Sequence, residues 1–148
     1  MATNTNQMSL EQEVQSLQAY ATEYSEQYTM LAEQLKFIET AKGEAFTSIA
    51  TLESLGATEG EVTALLPLGG GVSVPATLQD AHKMLVTIGA GVTVEKTVEE
   101  AVTYLRDRIT EMDASAKRLS ENMTKLQGQM QAVDARMQEI YASVQKRQ

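Results

Sequence analysis

The sequence predicts an α+β chain: a long antiparallel two-helix coiled coil with two β-hairpins inserted between the helices. Three observations predict it. Apolar residues recur with alternating spacings of four and three over both flanks of the chain. Seven of the nine glycines and both prolines fall between positions 56 and 91. Between those breakers the apolar residues alternate with period two instead. The chain therefore divides into residues 1–56, a first coiled-coil helix, residues 57–97, two hairpins that form an oligomerisation module, and residues 98–148, a second coiled-coil helix.

The first flank carries Leu10, Val14, Leu17, Ala21, Tyr24, Tyr28, Leu31, Leu35, Ile38, Lys42, Ala45, Ile49 and Leu52 on one heptad seam, and only Lys42 is neither apolar nor aromatic. A helix from Leu10 to Leu55 would run roughly 70 Å at about 1.5 Å per residue. The middle segment reads as strands over 62–68, 72–78, 84–88 and 92–95. Gly69-Gly70-Gly71 turns the first pair and Gly89-Ala90-Gly91 the second. An isolated two-stranded hairpin is marginal in water, and both helices are expected to be committed to each other. The apolar strand residues, Leu66, Leu68, Val72, Val74, Leu85, Val86, Ile88, Val92 and Val94, are therefore expected to meet strands of other chains. The second flank has the strongest pattern, with Val98, Val102, Leu105, Ile109, Met112, Ala116, Leu119, Met123, Leu126, Met130, Val133, Met137, Ile140 and Val144 all apolar. The helices are of nearly equal length, so they would close antiparallel, with Leu52 near Val98 and Leu10 near Ile140. Charge agrees, since Arg136, Lys146 and Arg147 can answer Glu11 and Glu13.

Composition removes most chemistry. A chain of 148 residues with no Cys, no Trp and a single His cannot build a zinc cluster, a thiol nucleophile or a histidine metal site. A net charge of -8 disfavours phosphate backbones and anionic lipid, so neither nucleic acid nor membrane is an expected partner. Residues 1–7 are polar and uncharged, unlike a secretion signal, and the absence of cysteine suits a cytoplasmic location. Gly89-Ala90-Gly91 has Val94 where a dinucleotide fingerprint needs its third glycine, and Gly69 to Gly71 lack the Lys and Ser/Thr of a phosphate loop. No cofactor and no catalytic residue is expected. His82 belongs to an exposed connection, and Glu99 and Glu100 after Thr97 belong to a helix cap.

One constellation remains. The last layers of a two-helix coiled coil hide only part of their seam, so Leu10, Val14, Leu17, Val133, Met137, Ile140, Tyr141 and Val144 are expected to be partly exposed at the end where the termini meet. A methionine-containing surface of this kind fits many apolar shapes.

The stretch Pro67-Leu68-Gly69-Gly70-Gly71-Val72, the strand Val86 to Ile88, and above all Gly89-Ala90-Gly91-Val92-Thr93-Val94-Glu95-Lys96-Thr97 followed by Glu100-Ala101 and Tyr104-Leu105 resemble the α class of prefoldin subunits. The resemblance spans the whole chain. It implies a hexamer of two α-type and four β-type subunits, in which the hairpins join an intersubunit β-barrel. It further implies an ATP-independent holding chaperone that captures unfolded polypeptides at its coiled-coil tips and delivers them to a group II chaperonin. A coiled-coil spacer that docks one folded partner is the alternative reading of the same elements.

Overall fold

The computed structural model describes residues 2–146, with side chains from residue 8 onward. Its elements run in the order α1 (Ala2–Gly56), β1 (Val62–Gly69), β2 (Val72–Leu78), β3 (Lys83–Gly89), β4 (Val92–Thr97) and α2 (Val98–Gln145). The expected α+β order is present, with strand ends one or two residues longer than the alternation suggested. Two compact units divide these elements: residues 1–39 with 114–148, and residues 40–113.

In the first unit, the N-terminal part of α1 faces the C-terminal part of α2. Among the seam positions of that α2 segment, Ala116, Leu126, Val133 and Ile140 are buried, and every remaining seam position described on either helix is half-buried. Polar contacts cross the seam on its flanks. Gln127 Nε2 donates to the Tyr28 hydroxyl at 3.1 Å, and the Arg136 guanidinium donates to Glu13 at 2.7 Å. Antiparallel alignment follows from those two contacts, because the residue numbers rise on one helix as they fall on the other. Lys146 forms no ion pair among the described residues, and Arg147 lies outside them.

In the second unit, Ala45, Ile49 and Ile109 form the buried centre, with Val102, Leu105 and Met112 packed on it. Lys42, the one charged seam residue, is not an interruption: its ammonium reaches Asp113 at 2.6 Å. At the base of the pair, a methyl group on Gly56 would approach Val98 to 3.1 Å, so Gly56 lies beside Val98. Arg106 adds a surface ion pair to Glu53 at 2.9 Å.

Helix α2 starts where a reciprocal cap forces it to. Glu100 N–H donates to Thr97 Oγ1 at 3.2 Å while Thr97 N–H donates to the Glu100 carboxylate at 2.9 Å, satisfying two end groups at once. The expected capping role of Glu100 is thereby borne out.

The two hairpins, β1-β2 and β3-β4, are separate two-stranded antiparallel sheets. They are built alike. Each closes with a two-residue turn whose central residues both have positive φ, Gly70 (58°) and Gly71 (79°) in one and Ala90 (48°) and Gly91 (75°) in the other. Each also has a register shift on the strand before its turn, between Pro67 and Gly69 and between Thr87 and Gly89. The sequences correspond at an offset of 20: Leu65 with Leu85, Gly69 with Gly89, Gly71 with Gly91, Val72 with Val92, Val74 with Val94 and Thr77 with Thr97. That internal repeat is legible in the glycine and valine spacing, although the division into breakers and alternating residues passes over it.

One expectation fails here. The second hairpin is not left uncovered by the helices. Leu85, Val86 and Thr87 border a cleft with Ser48, Leu52, Ala101, Tyr104, Leu105 and Arg108, and the Tyr104 hydroxyl donates to the Thr87 carbonyl at 3.4 Å. The reason is geometric. A coiled-coil seam occupies one stripe of each helix, and small Ala101 beside that stripe, almost wholly buried, leaves room for the strand to approach. Arg108 steadies Tyr104, donating to its hydroxyl at 3.2 Å, and this hydrogen bond raises the guanidinium pKa further above its ordinary value.

Candidate functional site

Two surfaces carry the exposed apolar side chains that a chain of this kind would use. The first lies in the unit formed by residues 1–39 and 114–148. Leu10, Val14, Ile140, Tyr141 and Val144 line an open groove of about 380 Å³, bordered by Glu11 and Gln15. The groove exists because Leu10, Val14 and Val144 are only half-buried and Tyr141 leans outside the seam, half exposed.

The expected set of eight divides by burial. Leu10, Val14, Leu17, Met137 and Val144 are half-buried and Tyr141 is exposed, but Val133 and Ile140 are buried rather than partly exposed. Both buried residues occupy α2 seam positions that point at α1. Ile140 still forms the floor of the groove, so it shapes the surface without offering much of its own area. Leu17, Val133 and Met137 are not among the groove's lining residues. Arg136 braces the same region, bonding Glu13 at 2.7 Å and Glu139 at 3.2 Å; these carboxylates, Glu13 first, push its pKa upward.

Sequence periodicity misses four exposed apolar side chains off the seam of α1, Met8, Met30, Phe37 and Phe46. Met30 and Phe37 are seven residues apart on α1 and line shallow grooves with Gln34. Their signal was present as large apolar residues at positions the heptad assigns to solvent. Tyr20, also exposed, stacks on Tyr24 with ring centroids 6.2 Å apart.

The second surface belongs to the hairpins. Leu66, Leu68, Val72, Val74, Leu85, Ile88 and Val92 are exposed, and Val86 and Val94 are half-buried. Three corresponding positions of the two hairpins are exposed alike, Leu65 and Leu85 at 70% and 77%, Leu68 and Ile88 at 65% and 48%, Val72 and Val92 at 59% and 52%, whereas Leu66 and Val74 are exposed where Val86 and Val94 are half-buried. Large apolar side chains stay exposed on both narrow sheets.

Nothing among the described residues gathers three or more metal-ligating side chains. His82 is an exposed turn residue whose backbone N–H donates to Asp80 at 2.9 Å. No helix, among the described residues, is long and apolar enough to cross a membrane.

Comparison with known proteins agrees with this architecture. The family model described as "Prefoldin subunit" matches residues 24–143. The prefoldin subunit alpha of Methanocorpusculum labreanum is 63% identical over 147 residues, covering 99% of this chain and 100% of that protein. The prefoldin subunit alpha of Methanospirillum hungatei is 40% identical over 136 residues, 92% of this chain and 91% of that one. Among solved structures, a chain of the filamentous PFD from Methanocaldococcus jannaschii superposes with a TM-score of 0.70 at 23% identity, covering 79% of this chain and 97% of that chain. The prefoldin beta subunit from a Thermococcus strain shares the fold at a TM-score of 0.55 and 16% identity, covering 85% of this chain and 90% of that chain. With the helix-hairpin-hairpin-helix order, the matched family model and relatives alike over nearly the full length, the chain belongs to the prefoldin family of chaperone subunits, within its alpha class.

Proposed function

We propose that this chain is the α-type subunit of an ATP-independent holding chaperone, capturing unfolded polypeptides in the groove lined by Leu10, Val14, Ile140, Tyr141 and Val144. That groove is the observation that carries the reading. It is apolar, open along one side and bordered by flexible polar side chains, which suits an extended segment better than a rigid surface. Leu17, Val133 and Met137 support it from the neighbouring layers. Each apolar client side chain buried there is worth at most about 1.5–3 kcal/mol, so one subunit binds weakly and reversibly. Several such ends on one assembly multiply the effect through effective concentration, and no nucleotide is needed to release a client held by many weak contacts.

In this reading, residues 57–97 assemble the complex. The exposed apolar residues of both hairpins, with half-buried Val86 and Val94, meet strands of other subunits in an intersubunit barrel. The expected composition is two α-type and four β-type subunits, acting in the cytoplasm and delivering clients to a group II chaperonin.

Aggregation of a chemically denatured protein, diluted into buffer without nucleotide, tests the reading. The chain co-assembled with its β-type partner should suppress light scattering at near-stoichiometric ratio, and removal of residues 1–17 and 133–148 should abolish most of that effect. Undiminished suppression by the truncated complex would sink the groove as the client site. Saturable binding of a folded protein with no effect on aggregation would favour the spacer reading instead.

A further inference from the structure

Helix positions three, four and seven apart share one side, so Glu23, Glu26, Met30, Glu33 and Phe37 form a single stripe along α1. All five are exposed, Met30 to 60% and Phe37 to 76%. The two apolar side chains are not isolated. A groove of about 510 Å³ joins Met30 to Phe37 and half-buried Ile38, with Glu33 on its border. A second, of about 430 Å³, runs from Met30 past half-buried Leu31 to buried Leu126. Both grooves share Met30 and Gln34, so apolar surface continues from the seam out to Phe37.

The charge along the stripe is all of one sign. The carboxylates of Glu26 and Glu33 take part in no ion pair among the described residues, and Glu23 accepts only the Gln27 amide at 3.1 Å. Lys36 is the one base between residues 1 and 39. It is next to Phe37 in sequence and therefore about 100° away from it around the helix. Lys125 of α2 borders the far groove beside Leu126, so a single ammonium stands at one end of a strip edged by three carboxylates.

Those charges select what can cover the stripe. Any occupant that buries Met30 and Phe37 brings its own charges within the Debye length, about 10 Å at 0.1 M salt, of the three carboxylates. The same stripe of a second copy would add three more acids and be repelled. A segment that carries Lys or Arg beside its apolar residues is attracted. Shallow open grooves bordered by Met and Gln adapt to varied side chains and suit an extended chain better than a folded knob.

We propose that the Met30–Phe37 stripe is a second client contact, selective for extended segments whose apolar residues are flanked by lysine or arginine. This rests on the holding-chaperone reading and adds to it a place and a client chemistry. Apolar side chains of the client cover Met30 and Phe37 while its cations face Glu23, Glu26 and Glu33. A client bound both here and in the end groove is held at two points of one subunit, and the second contact gains from effective concentration.

The chain contains no tryptophan, so Phe37→Trp places a unique reporter on the stripe. The probes are two unstructured synthetic peptides with the same Leu and Phe residues, one with Lys and the other with Glu at the intervening positions. In the complex co-assembled with the β-type partner, F37W emission, read against the same complex without the substitution, should shift to the blue and saturate with the lysine peptide. The glutamate peptide should bind about threefold or more weakly, as three exposed charge contacts imply. Glu23→Gln, Glu26→Gln and Glu33→Gln together should erase that preference with helical circular dichroism unchanged. No shift with either peptide, or a preference that survives the triple substitution, would overturn the proposal. A blue shift on co-assembly, before peptide is added, would show that another subunit covers the stripe and would overturn it as well. Phe37→Gln should weaken suppression of aggregation more for a basic denatured protein than for an acidic one. Undiminished suppression of the basic protein by F37Q would remove the second contact and leave the chaperone reading standing. Failure of the unmodified complex to suppress either protein would remove both.

Discussion

The ammonium of Lys42 lies 2.6 Å from a carboxylate oxygen of Asp113, and Lys42 is the only charged side chain on either helical seam. Its side chain is 18% exposed against 56% for Asp113, so the lysine stem runs through the apolar layer next to Ala45 and delivers its charge to the rim. A lysine at one seam position costs stability and specifies register, because every shifted alignment buries the charge without its partner. Lys42→Leu should leave unfolding stability equal or higher, since an apolar side chain of similar volume removes the desolvation cost. Asp113→Ala should lower it by about 1 kcal/mol, a figure kept small because the carboxylate is more than half exposed. Chemical denaturation of both variants and the double variant measures the coupling, and a destabilised K42L would refute the register role.

The Thr97–Glu100 cap begins α2 directly after β4, so it links helix and hairpin. Thr97→Ala should cost about 1 kcal/mol, within the range measured for caps. Glu100→Gln, which keeps the reciprocal hydrogen bonds, should cost less than half as much. Thermal unfolding followed at 222 nm separates the two, and equal losses would mean that charge at the helix end matters more than the capping geometry.

Ala90 holds φ at 48° in the turn where its counterpart is Gly70. A left-handed conformation costs an alanine roughly 1 kcal/mol, while asparagine tolerates it and is favoured before glycine in this turn type. Ala90→Asn should therefore stabilise the β3-β4 hairpin by several tenths of a kcal/mol up to about 1 kcal/mol. Slower amide exchange of the β3-β4 ladder, including Val86 and Val94, would register the gain, and faster exchange would contradict the strain assigned to Ala90.

Neighbours in the groove should respond differently to truncation. Ile140 is buried on the seam, so Ile140→Ala removes packed methylenes and should cost about 2–4 kcal/mol of stability. Tyr141 is half exposed, so Tyr141→Ala should change stability by under about 0.5 kcal/mol while weakening suppression of client aggregation several-fold. Light scattering and denaturant midpoints measured on both variants test the distinction. A Tyr141→Ala complex with full activity would locate client binding elsewhere.

The sequence by itself determined the element order, the two helical seams, the positions of both turns and the helix cap. Each is decided locally: heptad spacing selects which stripe of a helix is buried, and glycine at positive φ selects where a strand reverses. It also determined that Leu66, Leu68, Val72, Leu85, Ile88 and Val92 would stay exposed in one chain, since alternating strands on so short a segment have too little of their own core to hide them. Only the tertiary structure decided which seam residues near the chain ends are buried. Val133 and Ile140 hold the same heptad position as buried Leu126, while Met137 and Val144 hold the other and stay half-buried; apolar spacing marks both positions as seam without saying which is covered more. The same holds for the Lys42–Asp113 pair and the cover that Tyr104 gives to Thr87. Those contacts join residues 71 and 17 positions apart in the numbering, so their partners are set by the packing of whole elements and not by any local pattern.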